Sequence, residues 1–343
     1  MISHNRKNEP VLSAIICTYN RVKLLRNALE SLLPQTIDKE HYELIVIDDG
    51  SSDATQECVL SYSDKLPLKY FFQRNAGLAS AKNHGIFASS GDILLFLDDD
   101  DNLATNFFEQ HLNTHKNYPE ENFAVLNYTT WDPNIKITLL MKFIVGTGAF
   151  LFSYPNLKHN QILDFTYFWG GRSSCKRKFL LDHGVFNPVF RFGCEDIELG
   201  FRLSKYGMKV VFNKEAVSYM ERPIDFDGFI KRLYKQGQSQ FVFSQIHQDP
   251  EILRLTETEN AEDIWKKVGD YYPAKLEAAK KLDDMANLRE KMGFELDNNF
   301  KNILYSSYFW IFKATKIKGI IEKKYDILYD DVKTLLRDLR YEI

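Results

Sequence analysis

Residues 91–101 read GDILLFLDDDD. The apolar run from Ile93 to Leu97 is what a strand buried on both faces requires, and four aspartates follow it directly. Working outward, LSAIIC (Leu12 to Cys17) and ELIVI (Glu43 to Ile47) are runs of the same kind, and LKYFFQ reads as a further strand. Helical patterns lie between them. VKLLRNALESLL (Val22 to Leu33) puts Leu25, Ala28, Leu29 and Leu32 on one side, and Pro34 closes it. Ala54 to Tyr62 is a second helix that Ser52 or Asp53 is suited to cap, and Leu78 to Ser89 is a third with Gly85 inside it. Strand and helix alternating at this spacing predict an α/β fold with a doubly wound, Rossmann-like, mostly parallel sheet. Ligands of such sheets sit beyond the carboxyl ends of the strands. Three of those ends are polar or acidic, Thr18 to Asn20, Asp48 to Asp53 and Asp98 to Asp101, and they are expected to share one crevice.

Four adjacent carboxylates repel one another, so a fold tolerates them only where cations or donors compensate. Hard oxygen ligands in a polar crevice suit Mg²⁺ or Mn²⁺, which would bridge a diphosphate. The alternative for an isolated Asp run is a solvated turn or helix cap, a reading that the second acidic strand end disfavours. The chain has 343 residues, enough for one large α/β domain with an appendage or for two domains. With 44 basic and 47 acidic residues the net charge is −3, which argues against an electrostatic nucleic-acid binder. Hydrophobic content of 44% supports a sizeable core. Cys17, Cys58, Cys175 and Cys194 have no metal-ligand spacing. The opening MISHNRKNEP lacks the apolar core of a signal peptide, and no run reaches a membrane span. The nearest, Ile137 to Leu157, is broken by Lys142, Gly146, Gly148 and Pro155. The expectation is a soluble, cytoplasmic protein. From Asn102 to Asn213 the pattern is less regular, with strand-like FAVLNYTTW and KVVFN; beyond Glu221 it turns helical and charged.

SAIICTYNR, VIDDGSSDAT, NAGLASAKNHGI and GDILLFLDDDD, in this order and spacing, resemble the family 2 glycosyltransferases of GT-A fold. The later FWGGRSSCKRKFLLDHGVFNPVFRFGCEDIELGFRLSKYG extends the likeness, which covers roughly residues 10 to 240. The resemblance implies an inverting, metal-dependent transfer from a nucleotide-sugar donor, most often a UDP-sugar, to a hydroxyl of a glycan or lipid-linked acceptor. Residues 1–240 are then the catalytic domain. Residues 241–343 become a helical C-terminal region for packing, dimerisation or membrane-surface contact. By the same resemblance Cys17, Thr18 and Asn20 line the base pocket, Asp49 bonds the base edge and Asp48 supports the loop. Asn75, Gly77, Lys82 and Asn83 lie under the nucleotide. Lys82 stands where many relatives have arginine, a point charge in place of a bidentate contact. Asp98 contacts ribose or sugar, and Asp100, with Asp98, ligates Mn²⁺ or Mg²⁺; Asp99 and Asp101 are alternatives, since register in a run of four is open by one.

Glu195 and Asp196 form a second acidic centre, where Glu198 and Arg202 have the spacing of an i, i+4 pair. Acids at a helix start are stabilising by themselves. The family pattern makes Asp196 the general base, with Glu195 next in line. Trp169, Gly170, Gly171 and Arg172 are the implied acceptor-side contacts, and the two glycines either admit a ligand or make a turn. Many relatives carry a histidine after the strand that follows the base helix; here the stretch is AVSYMERP, and Lys235 or Gln238 is an alternative phosphate contact. Lys301 to Tyr325 interleaves six lysines with aromatic residues, which suits a peripheral membrane contact at the inner face but more simply a packed helix or a homodimer contact. A nucleotidyltransferase is the competing enzyme class, but no GxxxxGK[ST] loop occurs. A non-catalytic nucleotide-sugar-binding protein would be expected to lack the Asp run or Asp196, and both are present.

Overall fold

The computed structural model describes residues 10–152 and 154–338. The opening stretch read for a signal peptide lies almost wholly in residues 1–9, outside them. The chain forms two compact units. One takes in the residues up to Ile137, then 147–191 and 195–223; the other takes in 138–146, 192–194 and the chain from Ile224 onward.

The first unit is built on a sheet of nine strands among the described residues. They are β1 (Leu12–Thr18), β2 (Tyr42–Asp48), β3 (Leu68–Phe72), β4 (Ile93–Leu97), β5 (Asp101–Leu103), β6 (Phe123–Trp131), β7 (Ile162–Leu163), β8 (Ser173–Lys176) and β9 (Lys209–Met220). Their order is β3-β2-β1-β4-β8-β6-β9-β5, with β7 beside β9. The first four strands are parallel, as the alternating pattern predicts. Beyond β4 the sheet is mixed, because β8 runs antiparallel to β4 and β6, while β6 and β9 are parallel. Every residue of β2 and β4 is buried, so their uninterrupted apolar runs are explained by helices on both faces. The helix Val22–Leu32 buries Leu25, Ala28, Leu29 and Leu32, the four residues its periodicity places on one side. Gly85, inside the helix Leu78–Ala88, lets that helix lie close to β1: a Cβ there would be 2.4 Å from Ile15 Cγ2. KVVFN extends through AVSYM as one long strand, β9.

Two buried polar clusters brace this sheet. At its N-terminal edge Glu43 accepts from Ser13 Oγ at 2.6 Å, from Ser90 N at 2.6 Å and from Lys69 Nζ. Burial alone would raise its carboxyl, but these bonds outweigh it and hold the group down at about 2. On the helix Phe107–Asn117, His111 and His115 share Ser174 Oγ of β8, each at 2.8 Å. Their other ring nitrogens have no hydrogen-bond partner among the described residues. Burial lowers His111 to about 3 and His115 well below its ordinary value.

The second unit is helical. Its long helices Phe226–Ile246 and Asn298–Asp338 meet at two glycines. A Cβ on Gly237 would sit 2.0 Å from Lys316 O, and one on Gly319 2.1 Å from Tyr234 O. Tyr308 and Phe312 are buried against Phe143, Phe226 and Phe229, whereas Phe309 is exposed. The aromatic stripe of the tail therefore mostly serves packing within this unit. No described helix is long and apolar enough to cross a membrane.

Both features have measurable consequences. The histidines bind protons in the unfolded chain near 6.5 but not in the fold until far lower pH, so stability is whole above about 6.5 and falls as pH drops toward about 3. His111→Gln should flatten the slope of stability against pH between 6 and 4 by up to about 1.4 kcal/mol per pH unit, read from urea unfolding. Gly237→Ala should cost about 2 kcal/mol, because a backbone carbonyl cannot yield to the new methyl group and overpacking outweighs the gain in helix propensity. A urea midpoint at or above that of the wild type would contradict this packing.

Candidate active site

Sheet register assembles the site. β8 runs antiparallel to β4 with Leu95 opposite Ser174, and continuing that register brings Gly171 and Arg172 to the aspartates that follow β4. Arg172 donates from Nη1 to Asp98 Oδ2 at 2.5 Å, from Nη2 to Asp101 Oδ1 at 3.2 Å and from Nε to Thr129 Oγ1 at 3.0 Å. Its guanidinium lies 4.8 Å over the Phe152 ring. Burial opposes its charge, but Asp101 and Asp98 hold its pKa above the ordinary arginine value. β5 pairs antiparallel with β9, Asp101 opposite Met220, and this delivers the next two residues of the chain to Asp100. Glu221 N donates to Asp100 O at 2.9 Å, and Arg222 Nε to Asp100 Oδ2 at 2.7 Å. Asp99 accepts from Thr18 Oγ1 and from Arg21 Nη1, both at 2.8 Å. The ends of β1 and β4 thus meet as predicted, and Asp49 N donates to Thr18 O at 2.9 Å to bring in the end of β2.

Three guanidiniums face the four carboxylates, yet the balance still falls short. Burial pushes Asp99 up to about 6 and Asp101 up to about 7, against the pull of Arg21 and Arg172, and neighbouring aspartates add to the rise. Asp100 Oδ1 has no hydrogen-bond partner among the described residues. A divalent cation fits this donor set: Asp100 and Asp98 offer hard oxygens, and the site tolerates more positive charge. No third carboxylate or imidazole groups with them among the described residues, so a diphosphate and water would supply the other positions.

The loop after β2 is shaped by its own aspartates. Asp48 accepts from Ser51 N at 2.7 Å and Tyr70 OH at 2.8 Å. Asp49 accepts from Gln73 Nε2, Ala76 N and Gly77 N at 2.7–2.9 Å, while Asn75 Nδ2 donates to Asp49 O. Asn20, at φ +52°, bonds the same loop through Ser51 and Ser52. Gly50 has φ +90°, and a Cβ there would lie 2.8 Å from Asn75 N. Asn83 is committed elsewhere, its amide exchanging two hydrogen bonds with the Phe186 backbone. Burial pushes the Cys17 thiol up to about 12, which leaves it a neutral wall residue.

The second acidic centre opens the helix Glu195–Ser204. Lys82 Nζ stands 3.0 Å from Glu195 Oε1 and 5.1 Å over the Phe186 ring. Burial works against the Lys82 charge, but Glu195, Asp196 and Asp98 outweigh it and raise its pKa. Glu195 Oε2 is buried without a hydrogen-bond partner among the described residues. Asp196 accepts from Gly170 N at 3.0 Å and from Ile197 N at 2.8 Å. Burial, then Glu195, push its carboxyl up to about 6. The expected pair of Glu198 and Arg202 is present at 2.9 Å. The two glycines bridge the centres: a Cβ on Gly170 would lie 2.6 Å from Lys82 Nζ, and one on Gly171 2.0 Å from Asp98 Oδ1. Trp169 is held beside them by Ser173 Oγ and Thr166 O.

Arg21 in SAIICTYNR and Arg222 in AVSYMERP are not distinguished by their own letters; the signal for them is the need of an acidic run with three buried carboxylates for cations. Arg172, which the resemblance implies as an acceptor-side contact, is ion-paired with both Asp98 and Asp101 of the Asp run.

Comparison with known proteins agrees with this architecture. The glycosyl transferase family 2 model matches residues 13–183, about half of the chain. Validoxylamine A glucosyltransferase of Streptomyces hygroscopicus subsp. jinggangensis is 32% identical over 231 residues, covering 60% of this chain and 54% of the relative. The chain thus spans about half the length of that curated relative. Among solved structures, the mannosyltransferase PcManGT from Pyrobaculum calidifontis, in complex with GDP-Man and Mn²⁺, superposes with a TM-score of 0.59 at 18% identity, covering 93% of this chain and 88% of that one. S. aureus TarS 1–349 in complex with UDP-GlcNAc gives 0.50 at 16% identity, covering 91% and 92%. With its sheet order, its acidic strand ends and this family match, the chain belongs to glycosyl transferase family 2 and has the GT-A fold.

Proposed function

We propose that the first unit transfers a sugar from a nucleoside-diphosphate donor, a UDP-sugar, to a hydroxyl of a glycan or lipid-linked acceptor, with inversion at the anomeric carbon. The observation that carries this reading is the pairing of two acidic centres across Gly170 and Gly171, one rich in guanidiniums and the other holding a carboxyl near neutrality. The donors bound in the two structural neighbours, GDP-Man in PcManGT and UDP-GlcNAc in TarS 1–349, support a nucleotide-sugar ligand.

In this reading Cys17, Thr18 and Asn20 bound the base, and the Asp48–Asp49 loop with Asn75 and Gly77 forms the floor. Asp98 meets the ribose or sugar. Asp100, with Asp98, would hold Mn²⁺ or Mg²⁺, which when bound neutralises charge on the departing diphosphate. Asp196 removes the proton of the acceptor hydroxyl as that oxygen attacks the anomeric carbon and the bond to the diphosphate breaks. Its two backbone donors fix the carboxylate, and Lys82 with Glu195 sets its charge. Trp169 and the adjoining glycines line the acceptor side.

A thermal-shift screen of nucleotides with and without Mn²⁺ tests the donor site; a ligand at about 100 times its Kd adds about 2.7 kcal/mol. No shift with any nucleotide would remove the donor reading. Asp196→Asn should leave that shift intact and slow transfer by at least ~10²-fold. Because the base must be ionised, wild-type kcat/KM should fall below a pH of about 6, by up to tenfold per pH unit, and the variant should lose this limb. Near-normal turnover in Asp196→Asn with a collapse in Glu195→Gln would move the base to Glu195.

A further inference from the structure

Arg222 stands where it touches the carboxylate assigned to the cation. Its Nε donates to Asp100 Oδ2 at 2.7 Å; its side chain is 39% exposed while Asp100 is 4% exposed. The position is set by the backbone, since Glu221 N bonds Asp100 O and the Glu221 carboxylate is tied to Asn27 and Asn102. Arg21, 41% exposed, lies 3.8 Å from the same oxygen and is already engaged with Asp99 at 2.8 Å. Arg222, by contrast, has Asp100 as its ion-pair partner among the described residues.

Resting on the nucleoside-diphosphate reading above, we propose that Arg222 is a diphosphate-binding residue that neutralises Asp100 until the donor arrives. A planar guanidinium pairs equally well with carboxylate and phosphate oxygens, and a half-exposed one changes partner without a large desolvation cost. Diphosphate draws Arg222 off Asp100, and both Asp100 oxygens then become available to a divalent cation. Nucleotide and cation therefore promote each other's binding, and by linkage the coupling is equal in both directions. Free protein takes up the cation weakly, because a charge-assisted hydrogen bond must first be broken.

Calorimetric titration of the full chain decides the matter, with Mn²⁺ alone, then UDP or GDP with and without Mn²⁺. Arg222→Gln should bind Mn²⁺ alone about tenfold more tightly than wild type, and the nucleotide in the presence of Mn²⁺ about tenfold more weakly. Arg222→Lys, which keeps the charge but not the fork, should fall between. If wild type binds nucleotide with Mn²⁺ and Arg222→Gln matches it in both titrations, the assignment of Arg222 is wrong and the donor site stands. Weaker uptake of Mn²⁺ alone by Arg222→Gln also overturns it. A wild-type chain that binds no nucleotide under any condition removes the donor reading and this one with it. Equal melting temperatures of the three proteins without ligand confirm that the fold is unaffected.

Discussion

One buried guanidinium sets the terms for the acidic strand end. Arg172 holds Asp98 and Asp101 on two of its faces and Thr129 on a third, so the chain between those aspartates has little freedom left. It is there because β8 runs antiparallel to β4, and its ring partner Phe152 keeps water from its face. Removing one member of such a buried pair leaves an uncompensated charge, typically a loss of 3–5 kcal/mol. Asp99 and Asp100 sit between its two anchors and look the other way, to Arg21 and Arg222. The run is thus divided in register: its two outer positions are braced from within, and the two inner ones face half-exposed arginines.

Much of this was legible from periodicity. The parallel half of the sheet, the buried face of Val22–Leu32 and the pair Glu198–Arg202 follow from spacing alone. The mixed half was not legible, because β5, β7 and β8 are two to four residues long and owe their state to tertiary pairing rather than to pattern. The carboxylates of the site could be named in advance, since four in a row cannot be ignored. Their counter-ions could not, since Arg21, Arg172 and Arg222 are brought together by register across distant strands. Lys82 and Asn83 illustrate the same limit: adjacent in sequence on one helix, one turns to Glu195 and the other to the Phe186 backbone.

The glycines at 170 and 171 act by what they lack. Each yields the volume of a methyl group to a functional side chain, Lys82 and Asp196 in one case and Asp98 in the other. The backbone between the two acidic centres can therefore run within van der Waals contact of both. Gly237 and Gly319 do the same for the helical unit, where carbonyl oxygens rather than carboxylates occupy the space. Small residues here set distances between charged or polar groups, a role hydropathy does not register.

The separation in sequence of the acidic run and its counter-charges bears on how the chain comes to fold. Asp98 and Arg172 are 74 residues apart, and Asp100 and Arg222 are 122 apart. A nascent chain that has emitted the first four strands carries the aspartates without two of their three arginines. Their mutual repulsion opposes closure of the strand end until β8 and β9 have been made. Loop closure over such spans is entropically costly and slow. The strand end thus gains its full counter-charge only once β8 and β9 have paired, so its closure depends on chain made well after the aspartates themselves.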